Sequence, residues 1–305
     1  MKILLLGRGG QVGWELQRSL AVLGELVALD FDPAGNPQGL CGDFSNLGGL
    51  ADTVRRVAPD VIVNAAAHTA VDKAESEPEF ARLLNALAPG VLSTEAHRIG
   101  AWLVHYSTDY VFDGSGQRPW REDDATGPLS VYGRTKLEGE QLIAGSGCRH
   151  LILRTSWVYA ARGGNFAKTM LRLARDREAL TVINDQFGAP TSAELLADVT
   201  AIAIRAALAR PALAGLYHCV AGGETNWHQY ACFVLEQARA LGWQLKAGPA
   251  QVAEVATAQY PTPAQRPLNS RLDTTRLQST FGVVLPHWQD HARRMLQEIT
   301  PTTAP

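Results

Sequence analysis

Residues 2–13 read Lys2-Ile-Leu-Leu-Leu6-Gly7-Arg-Gly-Gly10-Gln-Val-Gly13, with the apolar run at 3–6 leading directly into glycines at 7, 10 and 13. A helical pattern over 12–23 follows, so the stretch reads as strand, tight turn and helix. A side chain in such a turn would hold the backbone away from a pyrophosphate. Without one, phosphates can meet the free N–H groups and the positive end of the helix. A second apolar run at 26–29 ends in Asp30, placed to bind a ribose hydroxyl.

The same alternation continues outward from this unit. Apolar runs at 61–63, 102–105 and 151–153 are separated by helical patterns at 47–57, 79–98 and 132–143. Strands alternating with helices specify a parallel sheet, because a crossover helix is the short route to the next parallel strand. Runs that are apolar throughout suit strands buried on both faces. The expected class is α/β: a Rossmann-type doubly wound parallel sheet with a smaller, interleaved C-terminal substrate domain. Residues 1–157 should form the dinucleotide-binding domain, and 158–305 most of the substrate domain. The segment 179–220 should return to the main sheet through strands at 180–183 and 216–220. Pro89 should kink or split the helix at 79–98. The tail at 300–305 should fray.

The chain has 305 residues, 46% hydrophobic and 19% charged, enough for a full core. Its 28 Lys and Arg against 30 Asp and Glu give a net charge of −2, with no electrostatic reason to expect nucleic-acid or anionic-membrane partners. Four separated cysteines, Cys41, Cys148, Cys219 and Cys232, suit reduced thiols. The initial apolar run is too short for a signal peptide and no run is long enough to span a bilayer, so a cytoplasmic protein is expected.

Tyr132-Gly-Arg-Thr-Lys136 places a phenol and an ammonium one helical turn apart, on one face. The cation should stabilise phenolate and lower the phenol pKa, and Lys136 can also hold ribose hydroxyls. Ser107-Thr108-Asp109 ends the fourth strand, where the ligand crevice of an open α/β sheet lies, and a hydroxyl there can bond a carbonyl oxygen becoming an alkoxide. Asp30 favours NADH, whereas Arg8 favours the extra phosphate of NADPH, so use of both is expected. Asp43-Phe44 could cap the adenine, and the small residues of Asn64-Ala-Ala-Ala67 suit either room for a dinucleotide or tight helix–strand packing. His105 reads as a packed core histidine and Trp227 as packing. The proline-rich stretch 260–267 suits either a lid or an ordinary connection.

Taken together these residues resemble the extended short-chain dehydrogenase/reductase superfamily. The strings Gln11-Val-Gly-Trp-Glu-Leu16, Asn64-Ala-Ala-Ala-His-Thr-Ala-Val-Asp-Lys-Ala-Glu75, Tyr106-Ser-Thr-Asp-Tyr-Val-Phe112, Arg154-Thr-Ser-Trp-Val-Tyr159, Ile183-Asn-Asp-Gln-Phe-Gly-Ala-Pro-Thr191 and Arg266-Pro-Leu-Asn-Ser-Arg-Leu272 narrow the likeness to the dTDP-4-dehydrorhamnose reductase family, nearly end to end.

That resemblance implies hydride transfer from NADPH or NADH to the C4 ketone of dTDP-4-dehydro-L-rhamnose, the last step of dTDP-L-rhamnose synthesis. It implies Tyr132 as proton donor, Lys136 as its ribose-binding partner and Thr108 as the hydroxyl that polarises the ketone. Asp109 and Trp157 match sugar contacts. Gly7, Gly10, Gln11, Val12, Gly13, Asp30, Asp43, Phe44, Ala67, His68, Thr69 and Tyr106 match cofactor contacts. The family further implies a homodimer in which Glu15, Glu194 and Glu298 help to hold a structural Mg²⁺. Another nucleotide-sugar reductase or epimerase would share the catalytic set. A non-catalytic, cofactor-binding regulatory subunit need not keep Thr108, Tyr132 and Lys136.

Overall fold

The computed structural model describes residues 1–300, so the tail beyond Thr300 lies outside the described residues. Eight strands position the site: β1 (Lys2–Leu6), β2 (Glu25–Leu29), β3 (Val61–Asn64), β4 (Trp102–Thr108), β5 (Arg149–Thr155), β6 (Leu180–Ile183), β7 (Gly215–His218) and β8 (Val252–Val255). The main helices are α1 (Gln11–Ala21), α2 (Leu47–Val57), α3 (Ala88–Ile99), α4 (Val131–Gly145), α5 (Phe166–Asp176), α6 (Ala193–Ala209), α7 (Trp227–Ala240) and α8 (Trp288–Ile299). Six strands form one parallel sheet in the order β7-β5-β4-β3-β1-β2.

The apolar runs are buried on both faces, as their composition requires. Ile3, Leu5, Val61, Val63, Val104, Leu151 and Leu153 enter one core, with Leu16 and Leu20 of α1 and Leu196, Val199 and Ala203 of α6. Leu4, Leu6, Ile62, Leu103 and Ile152 enter the other, with Leu50 and Val54 of α2 and Leu92 and Ala96 of α3. Each such side chain contributes about 1.5–3 kcal/mol on burial, which fixes strand register. The chain leaves β1 toward β2 and returns across it to β3, so the sheet reverses direction beside β1. A crevice opens there at the strand carboxyl ends.

Pro89 neither breaks nor ends its helix. The helical path runs from Pro78–Arg82 through a π turn at Leu83–Leu87 into α3. Proline lacks the N–H that would reach the carbonyl four residues back, and the wider turn absorbs the mismatch. The freed region also meets α4, because a Cβ at Gly139 would lie 2.2 Å from the Asn85 carbonyl oxygen.

One topological expectation is corrected. The strand near 216 does return to the central sheet, where β7 pairs with β5. The strand at 180–183 does not, since β6 pairs instead with β8 in a separate two-stranded sheet. Its burial alternates, with Leu180 and Val182 buried and Thr181 exposed, and a strand with one wet face has no place inside a sheet covered on both sides. Among the described residues, no helix is long and apolar enough to cross a membrane.

Candidate active site

The glycine turn is built by close approach. Gly7 has φ +84°, and a Cβ there would lie 2.7 Å from the Ala66 nitrogen; one at Gly13 would lie 1.9 Å from the Gly7 carbonyl oxygen. Helix α1 therefore packs directly on the turn. Its N-cap, Gly10, has no side chain to occupy the first N–H groups, which leaves them for an anion. Asp30 accepts from the Phe31 N–H at 2.8 Å, and Asn36 brackets the Asp30 backbone through its N–H and carbonyl. Two short turns, Pro33–Gly35 and Pro37–Gly39, carry the intervening loop, and Arg8 donates to Gly35 O at 2.6 Å and Ala28 O at 3.3 Å.

From this turn a cleft of about 860 Å³ runs to the ends of β4 and β5. Gly7, Gly10, Gln11, Val12, Asp30, Asp43, Phe44, Ala67, Thr69, Tyr106, Thr108, Asp109, Tyr132, Lys136 and Trp157 all line it. Two residues matched to cofactor contacts do not. Gly13 lies beneath the turn, packed on Gly7. His68 is buried, with its backbone N–H on Asn85 Oδ1 at 2.8 Å and its ring edge-on to Phe80. Tyr106 lines the cleft, but its hydroxyl is committed to Thr200 of α6 at 2.6 Å. The uncapped helix end, the acid at the close of β2 and the length of the cleft fit a dinucleotide.

At the far end, Ser130 caps α4 by accepting from the Gly133 N–H at 3.1 Å, which starts the helix just before Tyr132. The Tyr132 side chain is half-buried and lines the cleft with Thr108. Thr108 donates to Asp109 Oδ1 at 3.1 Å and accepts from the Tyr110 N–H at 3.2 Å. Burial lifts the Asp109 carboxyl to about 6, with the Ser270 and Thr108 hydroxyls opposing the rise.

The expected lowering of the phenol pKa is not what this arrangement gives. Burial pushes Tyr132 up to about 12, Thr108 opposes the rise and Asp109 adds to it. The lysine ammonium is directed elsewhere: Nζ donates to Tyr106 O at 2.6 Å and lies 3.2 Å from His105 Nε2. Tyr132 therefore holds its proton firmly, as a donor must before it acts.

Trp157 adopts φ +49°, a left-handed conformation unusual for a bulky residue, and stacks on Trp227 with ring centroids 3.7 Å apart. Both rings line the cleft.

The family model described as "RmlD substrate binding domain" matches residues 1–300. The chain is 60% identical over 304 residues to the dTDP-4-dehydrorhamnose reductase of Escherichia coli (strain K12), covering 100% of each. The chain belongs to the dTDP-4-dehydrorhamnose reductase family. A dTDP-4-dehydrorhamnose reductase of Burkholderia thailandensis is 46% identical and is matched over 95% of this chain and 96% of its own. Among solved structures, the family member from Clostridium acetobutylicum superposes with a TM-score of 0.87 at 33% identity, covering 99% of this chain and 100% of that one. One from Bacillus anthracis, in complex with NADP, gives 0.84 at 31% identity over 97% and 99% of the two chains.

The magnesium set matched to this family does not form a metal site within one chain. Glu15 senses Glu194 and Glu298, and burial with these neighbours raises its pKa, but arginines already serve the acids. Arg18 lies 3.8 Å from Glu15 and Arg294 3.4 Å from Glu194. Among the described residues, no group of three or more His, Cys, Asp or Glu is gathered to hold a metal ion. Within one chain the set gathers no metal, and no step here involves one.

Two residues of the site escaped the sequence reading. Trp227 reads as packing at a helix start, yet it carries Trp157. Asn85 sits in the π turn and ties His68 to Thr135 of α4. Neither has a local signal, because each acts across the fold. The stretch at 260–267 is held down rather than free: Arg266 grips Asp72 at 2.8 and 3.1 Å, and Ala264 N–H adds a third bond at 3.2 Å.

Proposed function

We propose that this chain reduces the C4 ketone of dTDP-4-dehydro-L-rhamnose to give dTDP-L-rhamnose, using NADPH or NADH. The observation that carries the reading is that Tyr132, Thr108 and Lys136 together line the far end of the cleft that starts at the glycine turn.

In this reading the turn at 7–13 and the N-terminus of α1 bind the pyrophosphate, Asp30 the adenosine ribose, and Asp43 and Phe44 the adenine side. A reduced nicotinamide bound there would supply the hydride that the ketone carbon takes up. Tyr132 gives its proton to the ketone oxygen, and Thr108 orients the phenol and the carbonyl toward each other. Asp109 and the stacked Trp157 and Trp227 bound the sugar end. Lys136, anchored on Tyr106 O, faces the ribose hydroxyls. Residues 1–157 serve the dinucleotide and most of 158–305 the sugar nucleotide. The protein works in the cytoplasm, as a homodimer.

The test is NADPH consumption with enzymatically generated dTDP-4-dehydrorhamnose, the product identified by its sugar stereochemistry. Oxidation of NADPH with formation of the L-rhamnose product is expected. Tight NADPH binding without turnover, together with a co-purifying enzyme, would instead favour a regulatory subunit.

A further inference from the structure

Behind Lys136 lies a buried polar pair that the reaction as described does not use. Asn64 ends β3, and His105 sits opposite it in the parallel register on β4. Both side chains are buried. The Asn64 Oδ1 accepts from the Ala66 N–H at 3.0 Å, which fixes the orientation of the amide and turns its NH₂ toward His105 Nδ1, 2.9 Å away. An amide NH₂ can only donate, so Nδ1 must accept. A neutral imidazole with Nδ1 accepting carries its hydrogen on Nε2. That nitrogen faces Lys136 Nζ at 3.2 Å.

An ammonium has three hydrogens and no lone pair, so Nε2–H and an ammonium at this distance oppose each other. A neutral amine has a lone pair that can accept Nε2–H while a remaining N–H still donates to Tyr106 O. We propose that Asn64 and His105 are positioning residues that set the protonation of Lys136, with Asn64 locking the ring in the Nε2–H tautomer and so favouring the uncharged amine until the site is filled.

The other groups around Lys136 are few. Tyr132 lies one turn before it and Glu140 one turn after, and Glu140 is held by Arg154 through bonds of 2.9 and 2.6 Å. Glu140 favours the ammonium, but burial outweighs it and brings Lys136 down to about 8. His105 is pushed well below its ordinary range by burial and by Lys136, so an imidazolium does not compete. Asp109 gains its charge near 6 and Lys136 loses its own near 8, so loss of the Lys136 charge should form the upper limb of the pH–rate profile. This last link rests on the proposed role of Lys136 in the reductase site.

Asn64→Asp provides the test, because it reverses the tautomer. A carboxylate keeps the bond from Ala66 N–H but accepts from Nδ1–H, which leaves the Nε2 lone pair to receive an ammonium hydrogen. With only five lysines in the chain, ¹³C labelling at the lysine ε-carbon and a Lys136→Arg control identify the resonance of Lys136. Wild-type Lys136 should titrate near 8 in the ligand-free enzyme. In Asn64→Asp both that titration and the upper limb of kcat/KM should move up by about one pH unit or more. Asn64→Ser, which frees the ring to choose its tautomer, should move them in the same direction and stands in if the acid variant fails to fold. Ordinary lysine titration in the wild type, or no shift in either variant, overturns the proposal. A shifted resonance with an unmoved rate profile supports the tautomer lock and counts instead against the part assigned to Lys136 in the reaction.

Discussion

The phenol of Tyr132 and the hydroxyl of Thr108 line the same end of the cleft, and Thr108 passes its own hydrogen to Asp109 at 3.1 Å. The proposed proton donor thus stands beside a residue 24 positions upstream on a different element. Tyr132→Phe removes the transferable proton and little volume. It should lower kcat by about 10²–10⁴-fold while NADPH titration stays near wild type. Thr108→Val keeps the proton but loses the alignment, so its loss in kcat should be smaller. Retained turnover in Tyr132→Phe would falsify the donor role.

Asp109 links pH to stability. Its folded carboxyl titrates at about 6, against an ordinary 3.8, because burial disfavours the charge. The folded state therefore holds this proton more tightly than the unfolded chain does. The resulting stability is fully present below the unfolded value and is lost as pH rises through the folded one, by roughly 3 kcal/mol between about pH 4 and 6. Urea unfolding across that window should show the decline in the wild type and a flatter curve in Asp109→Asn. Parallel curves would remove Asp109 as the cause.

Glu140 and Arg154 form a buried pair joining α4 to β5 beneath the site, and both side chains are nearly inaccessible. Glu140→Leu strands a guanidinium in the interior and should cost about 3–5 kcal/mol. Adding Arg154→Met removes the stranded charge and should recover a large part of that loss. Thermal unfolding of both singles and the double measures it; strict additivity would show that the pair does not act as a unit.

Arg8 reaches from the glycine turn to Gly35 O at 2.6 Å, across the loop that follows Asp30. If its guanidinium also meets a 2′-phosphate, Arg8→Ala should weaken NADPH more than NADH, shifting the affinity ratio several-fold. Fluorescence titration of both cofactors reads the ratio. An unchanged ratio would leave Arg8 with only the task of stapling the loop.

Local pattern carried much of the fold and part of the site. The run at 3–6 with glycines at 7, 10 and 13 places a turn at a helix N-terminus, because apolar runs and missing side chains act on the nearest few residues. The four-residue step from Tyr132 to Lys136 puts both on one face of α4 for the same reason. The burial pattern of β6 was also written locally, as alternation, but its partner was not. A strand with one wet face can pair at any open edge, and β8 lies 72 positions further on.

By itself, then, the amino-acid order determined a wound parallel sheet, a phosphate-ready turn and a phenol–amine pair, since each depends on neighbours a turn or two apart. Tertiary structure alone decided that Trp157 stacks on Trp227, that Asn85 ties His68 to α4, and that Lys136 faces His105 instead of lowering the Tyr132 phenol. Those contacts join residues far apart in the chain. They exist only where sheet register and helix packing bring buried polar atoms within bonding distance, and burial then makes each donor and acceptor count.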